Sequence, residues 1–265
     1  PTLYEKGYRL VHLEDFMAGR IDVPAGTHPV VFTFDDATAG QFHLRQGAEG
    51  LEAEPRTAVG ILMAFQAEHP DFGLAGTFNL NMDVGTNVFK GEGDVATRLQ
   101  WMLDHGFELG NHTWGHVDFT KMTDPSPIQE AIGRNQKALS ALLPGQVFRS
   151  LCLPFGSRPK DQALRPYLAE GEWEGIAYRN TSILAVGAEP ARPVYHPEFN
   201  AAYIPRVRSQ GKEPVEADLT WWLERMTPKT LFVSDGDPRT IVVPSGSAGS
   251  VDMEKIDGKE RVLYD

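Results

Sequence analysis

At 265 residues the chain has room for one large domain or two small ones, and 41% hydrophobic residues can fill a substantial core. A formal net charge of −11, with no cluster of Lys and Arg, excludes a nucleic-acid module, which needs a basic face. The single cysteine, Cys152, excludes an internal disulfide and a cysteine-built zinc site, and no apolar run approaches the roughly 18 residues of a membrane helix.

In chain order, a helix over Leu13–Ala18 precedes a first strand, Val30–Phe34, that runs into Asp35-Asp36. Thr38–Glu54 is a long connection rich in Gly and polar residues, and Pro55–Glu68 is a helix with Val59, Leu62, Met63 and Phe65 on one side. Strands Gly76–Leu80 and Phe107–Leu109 flank a helix over Asp94–His105, with Gly106 at its C-terminal cap. Helix Pro127–Leu143 stops before Pro144-Gly145, and strand Phe148–Leu153 follows. The remainder reads as helix Asp161–Ala169, strand Gly175–Tyr178, a Pro-rich connection Asn180–Ala202, strand Tyr203–Val207, helix Glu216–Met226 and strand Thr230–Ser234. Alternating short apolar and longer amphipathic runs are the mark of βαβ units, so the expected class is α/β with about seven parallel strands. A single domain is expected, with a core over about 28–236 and a C-terminal appendage over 237–265 that begins at a flexible Ser/Gly stretch.

The chemistry sits at the ends of these strands. Thr33-Phe34-Asp35-Asp36 closes the first strand, and His112-Thr-Trp-Gly-His116 follows the third. In a parallel barrel the carboxyl ends of the strands share one mouth, which also receives Leu153-Pro154-Phe155-Gly156 and Asp235-Gly236-Asp237. One carboxylate and two neutral imidazoles suit a borderline divalent cation such as zinc, with positions left open for water and substrate. A second, unligated carboxylate can take a proton from that water. The four-residue His spacing lets both rings face one point if the segment makes a helical turn.

The ordered set Thr-Phe-Asp-Asp, His-Thr-x-x-His and Pro-Phe-Gly resembles the polysaccharide deacetylases, carbohydrate esterase family 4, over about Val30–Ser234. The resemblance implies a distorted (β/α) barrel that removes acetyl groups from a peptidoglycan- or chitin-like glycan. It implies Asp35 as base, and Asp36, His112 and His116 as ligands to a divalent metal, zinc first and cobalt or nickel as alternatives. The Phe155 amide, after Pro154, would help hold the oxyanion, and Trp114 is the best of the Trp residues for stacking on sugar. Carbohydrate is the implied partner, no protein partner is inferred, and the implied location is extracellular or in the cell envelope, with any leader taken to be absent from this chain.

Two positions depart from the family pattern. Cys152 stands where the family has an arginine that orients the base; Arg149 and Arg158 are the nearby candidates to replace it. Asp235 stands near the position of a histidine that protonates the leaving amine. Keeping an Asp protonated at neutral pH needs a shift of around 3 units, about 4 kcal/mol; His43 and His196 are alternative acids on the long loops. The departures also fit a relative that binds metal and glycan with little turnover, or a hydrolase of a non-sugar amide.

Overall fold

A computed structural model describes residues 1–209, 215–227 and 231–264. Its centre is a sheet of five parallel strands in the order Ser182–Leu184, Ser150–Cys152, Glu108–Asn111, Thr77–Leu80, Thr33–Asp35, curled into a half-barrel. Thr77–Leu80 is an inner strand, flanked by Glu108–Asn111 and Thr33–Asp35, and is buried at every residue, as expected of a parallel strand covered on both faces. Phe34 stacks on Phe78 from the neighbouring strand at 4.6 Å between ring centres, fixing the register of the two.

Three helices cover the outer face, and each starts where a side-chain oxygen can accept a free backbone N–H. Thr57 caps Ala58–Glu68, Asp94 caps Val95–Asp104, and Asp124 caps Pro125–Leu142, with Pro125 in the first turn. Leu13–Ala18 is a helix over Leu13–Met17. Thr38–Glu54 contains a hairpin of its own, His43–Gln46 with Leu51–Ala53, anchored by Phe42 stacked on Trp101.

Several expected elements differ. Val30–Phe34 divides, with His28–Val30 pairing with Tyr8–Leu10 and only Thr33–Asp35 entering the barrel sheet. The strand expected at Gly175–Tyr178 does not join the barrel. Ile176–Arg179 pairs antiparallel with Glu170–Trp173 across Glu174 (φ 47) and Gly175 (φ 77), a tight turn whose paired positive φ values favour a local hairpin. Its place in the sheet is taken by Ser182–Leu184, inside the stretch expected as a connection. Tyr203–Val207 contributes one parallel bridge, Ile204 to Leu184.

Asp161–Ala169 breaks into a 3₁₀ turn and a short helix, Pro166–Ala169, at Pro166. Glu216–Met226 narrows to Leu219–Arg225, capped by Asp218. Of the strand expected at Thr230–Ser234, Thr230 lies outside the described residues. Residues 231–234 form no strand and attach through Ser234, which exchanges hydrogen bonds with Gly26 and Thr27. In the region expected as an appendage, Thr240–Pro244 and Glu260–Tyr264 pair in parallel, and Ile241, Val243, Val251 and Ile256 bury against Tyr195; Asp265 lies outside the described residues.

Candidate active site

The mouth of the half-barrel collects side chains from three strand ends. Asp36 follows the first strand in a left-handed conformation (φ 78), and its N–H still donates to Asn79 of the next strand. Its Oδ1 lies 3.5 Å from His112 Nε2 and 3.7 Å from His116 Nε2, and ligand atoms of all three residues fall within 4.8 Å of one another. The His segment is not a helical turn. It is an irregular one with positive φ at Thr113 (67), Gly115 (81) and His116 (45), and it brings the two rings to 4.9 Å.

A buried amide network forces that turn. Asn111 Oδ1 accepts from the Thr113 N–H and from Asn135 Nδ2, while Asn81 Nδ2 donates to the carbonyls of His112 and Thr113. Asn135 comes from helix Pro125–Leu142 and also bonds Leu80 and Met82, tying the helix to the second strand. With these amides satisfied, the backbone has few alternative pairings. His112 Nδ1 sits 2.9 Å from the Cys152 carbonyl, so Nδ1 carries the proton and Nε2 presents a lone pair toward Asp36. Burial lowers the pKa of His112, which favours the neutral, ligating form.

Asp35 faces the same space from a more enclosed position. Arg206 grips it with a bidentate fork, Nη1 to Oδ1 at 3.0 Å and Nη2 to Oδ2 at 2.8 Å. Asn79 Nδ2 donates to Oδ1 at 2.9 Å and the Cys152 thiol lies 3.3 Å from the same oxygen. Burial alone would raise the pKa of Asp35. The Arg206 hydrogen bonds and charge outweigh it, and the carboxyl is held well below the usual range. Phe155, also left-handed (φ 59), is 67% exposed and sets its ring edge against His116 at 4.6 Å; Pro154 before it is buried.

Residues 22–168 match the family model described as polysaccharide deacetylase, more than half the chain. The chain belongs to the polysaccharide deacetylase family. Among solved structures it is similar to the deacetylase PplD of Streptococcus pyogenes, with 15% identity, coverage of 85% of this chain and 83% of that one, and a TM-score of 0.56. IcaB from Ammonifex degensii is similar at 19% identity over 77% and 78% of the two chains, with a TM-score of 0.53. BC0361, a polysaccharide deacetylase from Bacillus cereus, is similar at 20% identity and a TM-score of 0.51; 78% of this chain covers 54% of that one. At these identities the likeness concerns the fold. No curated protein sequence matches closely enough to count as a relative.

Against the deacetylase pattern, the arginine paired with Asp35 comes from elsewhere in the chain. Neither arginine considered from the sequence fills the role: Arg149 is exposed and pairs with Glu14, and Arg158 lies over the Tyr203 ring. Arg206 spans the gap between the bridge at Ile204 and the first strand, also bonding Thr33 Oγ1 and the Ala185 carbonyl. Burial alone would lower its pKa, but the Asp35 carboxylate more than offsets this and keeps the guanidinium charged. Cys152, at the position expected for arginine, is fully buried, 3.1 Å from Arg206 Nη2, and burial pushes its thiol pKa well up.

Asp235 stands apart from this group. It is exposed, its oxygens accept from the Asp237 N–H and Thr240 Oγ1, and it adjoins Gly26–Thr27 near the start of the run that ends at Asp35. The missing strand at 231–234 is the physical reason, since no parallel pairing carries this turn to the mouth. Trp114 packs on the main core with the Arg134 guanidinium 4.3 Å over its ring, which occupies one face. His196 is held within its own loop by Glu198, and His43 lies in the small hairpin sheet opposite Lys90.

Proposed function

We propose that this chain is a metal-dependent hydrolase that removes acetyl groups from an N-acetylated carbohydrate of the peptidoglycan or chitin type. One observation carries the reading: Asp36, His112 and His116 converge from two strand ends while a second carboxylate, Asp35, is held beside them by Arg206. The donor set fits a divalent cation. Two imidazoles and one carboxylate present one atom each, and the Cys152 carbonyl fixes the ligating tautomer of His112. When bound, zinc, cobalt or nickel at Asp36, His112 and His116 would polarise the acetyl carbonyl and acidify a water.

The remaining work falls to the protein's own groups. Asp35 takes the proton of the attacking water. Arg206 keeps Asp35 ionised, the form that can accept a proton, and the proton then passes on to the departing nitrogen. In this reading the backbone N–H of Phe155 would help hold the charge that develops on the acetyl oxygen. An extracellular or cell-envelope location belongs to the same reading, since such glycans lie there.

The test is acetate release from N-acetylglucosamine oligomers by purified protein supplied with zinc, cobalt or nickel. Turnover that falls by about 10² or more in Asp35→Asn is expected. No acetate from any such oligomer with any of the three metals overturns the reading.

A further inference from the structure

The segment that carries Arg206 is seated on the chain around strand Ser182–Leu184 by main-chain contacts, and one glycine decides the fit. A short ladder leads to it. The Ile204 N–H donates to the Ile183 carbonyl, and the Ala185 N–H donates to the Ile204 carbonyl, both at 2.8 Å. Where the next rung would follow, the Ala185 carbonyl accepts the Arg206 side-chain Nε at 2.6 Å. That bond aims the guanidinium at Thr33 and Asp35.

Beyond this rung Gly187 lies against the backbone of Arg206 itself. A Cβ on Gly187 would fall 2.6 Å from the Arg206 carbonyl oxygen and 2.7 Å from its nitrogen. Both are main-chain atoms, so no side-chain rotation can relieve the clash. Gly187 is not among the left-handed glycines, so space, and not conformation, demands glycine here. The same segment is held from other sides. A Cβ on Gly156 would stand 3.0 Å from the Val186 nitrogen, and Trp222 Nε1 donates to the Ala188 carbonyl at 2.9 Å. Val186–Ala188 is therefore wedged between the turn that carries Phe155 and helix Leu219–Arg225. A methyl group at Gly187 would displace Arg206 by about 0.8 Å before the contact became ordinary, near 3.4 Å. A shift of that size is enough to open the fork on Asp35, from 2.8 and 3.0 Å to about 3.6 Å, beyond hydrogen-bond range.

From this we infer that Gly187 is a positioning residue for Asp35: by admitting the Arg206 backbone so closely, it sets the fork that holds the carboxylate. The inference rests on the deacetylase reading for what Asp35 does, and on geometry alone for what Gly187 does to Arg206.

Two measurements separate those foundations. By nuclear magnetic resonance on protein with isotope-labelled arginine, the Arg206 Nε–H signal is assigned by its loss in Arg206→Met. In the wild type this hydrogen is expected to exchange with solvent at least about tenfold more slowly than that of a surface arginine, since the Ala185 carbonyl holds it. In Gly187→Ala the signal is expected to shift and its exchange to accelerate about tenfold. Neither changes in Gly246→Ala, where an added Cβ meets open space. Trp222→Phe, which removes the hydrogen bond to Ala188 and keeps an aromatic ring, is expected to accelerate the exchange about threefold and decides the matter where Gly187→Ala does not fold.

Kinetics on the zinc-loaded protein with an N-acetylglucosamine oligomer supply the second measurement. Gly187→Ala is expected to lower kcat about tenfold to a hundredfold with KM changed less than about threefold, because a misplacement of about 1 Å remote from the reacting atoms acts on turnover. In the Arg206→Met background the same substitution is expected to cost less than about twofold more, since its effect runs through the missing side chain. An Arg206 signal that is unprotected in the wild type, or unchanged in both Gly187→Ala and Trp222→Phe, overturns the inference, as does a kcat loss repeated in full in the Arg206→Met background. A signal that moves as expected, without turnover by any protein, upholds Gly187 as the seat of Arg206 and rejects the deacetylase reading.

Discussion

Replacing Arg206 with Met is expected to uncouple Asp35 from its support while preserving most of the hydrophobic stem. The side chains of Arg206 and Asp35 are 16% and 26% exposed, so the pair is largely removed from water. Arg206 makes polar contacts with Asp35, Thr33, Ala185 and Cys152; without it the Asp35 carboxylate keeps, among the described residues, hydrogen bonds from Asn79 and a thiol. Removing one member of such a pair strands the other charge and costs about 3 kcal/mol, the lower end of the range for buried pairs because both groups retain some exposure. For a chain of this size that is a fall in Tm of about 6–12 °C.

The pH dependence distinguishes a stranded charge from lost packing. In the wild type the folded Asp35 has a pKa well below its unfolded value of about 3.9. Its stabilisation is therefore present above about pH 3.9 and is lost as pH falls through the folded value. In Arg206→Met burial dominates and the folded pKa rises above about 3.9, which reverses the sign: ionised Asp35 destabilises the variant at neutral pH, and acid relieves it. Urea unfolding should thus show a gap between the two proteins that is smaller near pH 4 than at pH 7, through relief of the variant alone, since the wild type keeps most of its Asp35 stabilisation at pH 4. Adding Asp35→Asn to the variant should recover about 2 kcal/mol, measured as a coupling in the double-mutant cycle. Arg206→Lys should fall between, because it restores charge without the fork. A gap equal at both pH values, or strictly additive single substitutions, would refute the account of Asp35 as a charge sustained by Arg206.

Zinc affinity, measured by competition with a chromophoric chelator, should fall at least about tenfold in Asp36→Ala and in His116→Ala while far-UV circular dichroism stays unchanged, since both side chains lie at the surface of the mouth. Asp235→Asn should retain acetate release within about threefold of wild type; a loss of about 10² would mean that its turn reaches the reacting atoms. Cys152, fully buried, should resist a thiol reagent in the native protein and titrate as one thiol per chain in denaturant.

Helix starts were legible to within about three residues because they are local: Asp94 reads as a start, whereas the caps Thr57 and Asp124 stand two and three residues from the starts expected at Pro55 and Pro127. The strand ends bearing Asp36 and the His pair were legible for a related reason, since short apolar runs ending in polar residues mark the rim of a parallel sheet. Arg206 was not, because it lies 171 residues from Asp35 and no period links the two. Its one signal is a guanidinium within the apolar run Tyr203–Val207, a place where an unpaired charge would be costly. Asn135 left a similar trace, occupying a position on the helix face shared by Ile128, Ile132 and Leu139, all buried. Ser182–Leu184 was hidden by its length, since three residues show no alternation and they fall inside the stretch read as the connection Asn180–Ala202.

The rim departs from regular backbone where its chemistry concentrates. Asp36, Thr113, His116 and Phe155 are all left-handed without being glycine, and they come from three separate strand ends. Conformations of this kind cost about 1–3 kcal/mol each and persist only where the surroundings over-determine them. Here the surroundings are identifiable: the Asn79 carbonyl receives the Asp36 N–H, and the Asn81, Asn111 and Asn135 amides hold Thr113 and the His112 carbonyl. The left-handed residue is also what re-aims the side chain. In a strand that continued past Asp35, the next side chain would point to the opposite face of the sheet. The turn at Asp36 instead leaves it beside His112 and His116, while Asp35 stays inside with Arg206. Two adjacent carboxylates thereby acquire different surroundings, one exposed among imidazoles and one enclosed by a guanidinium, which is the separation that a metal ligand and a base require.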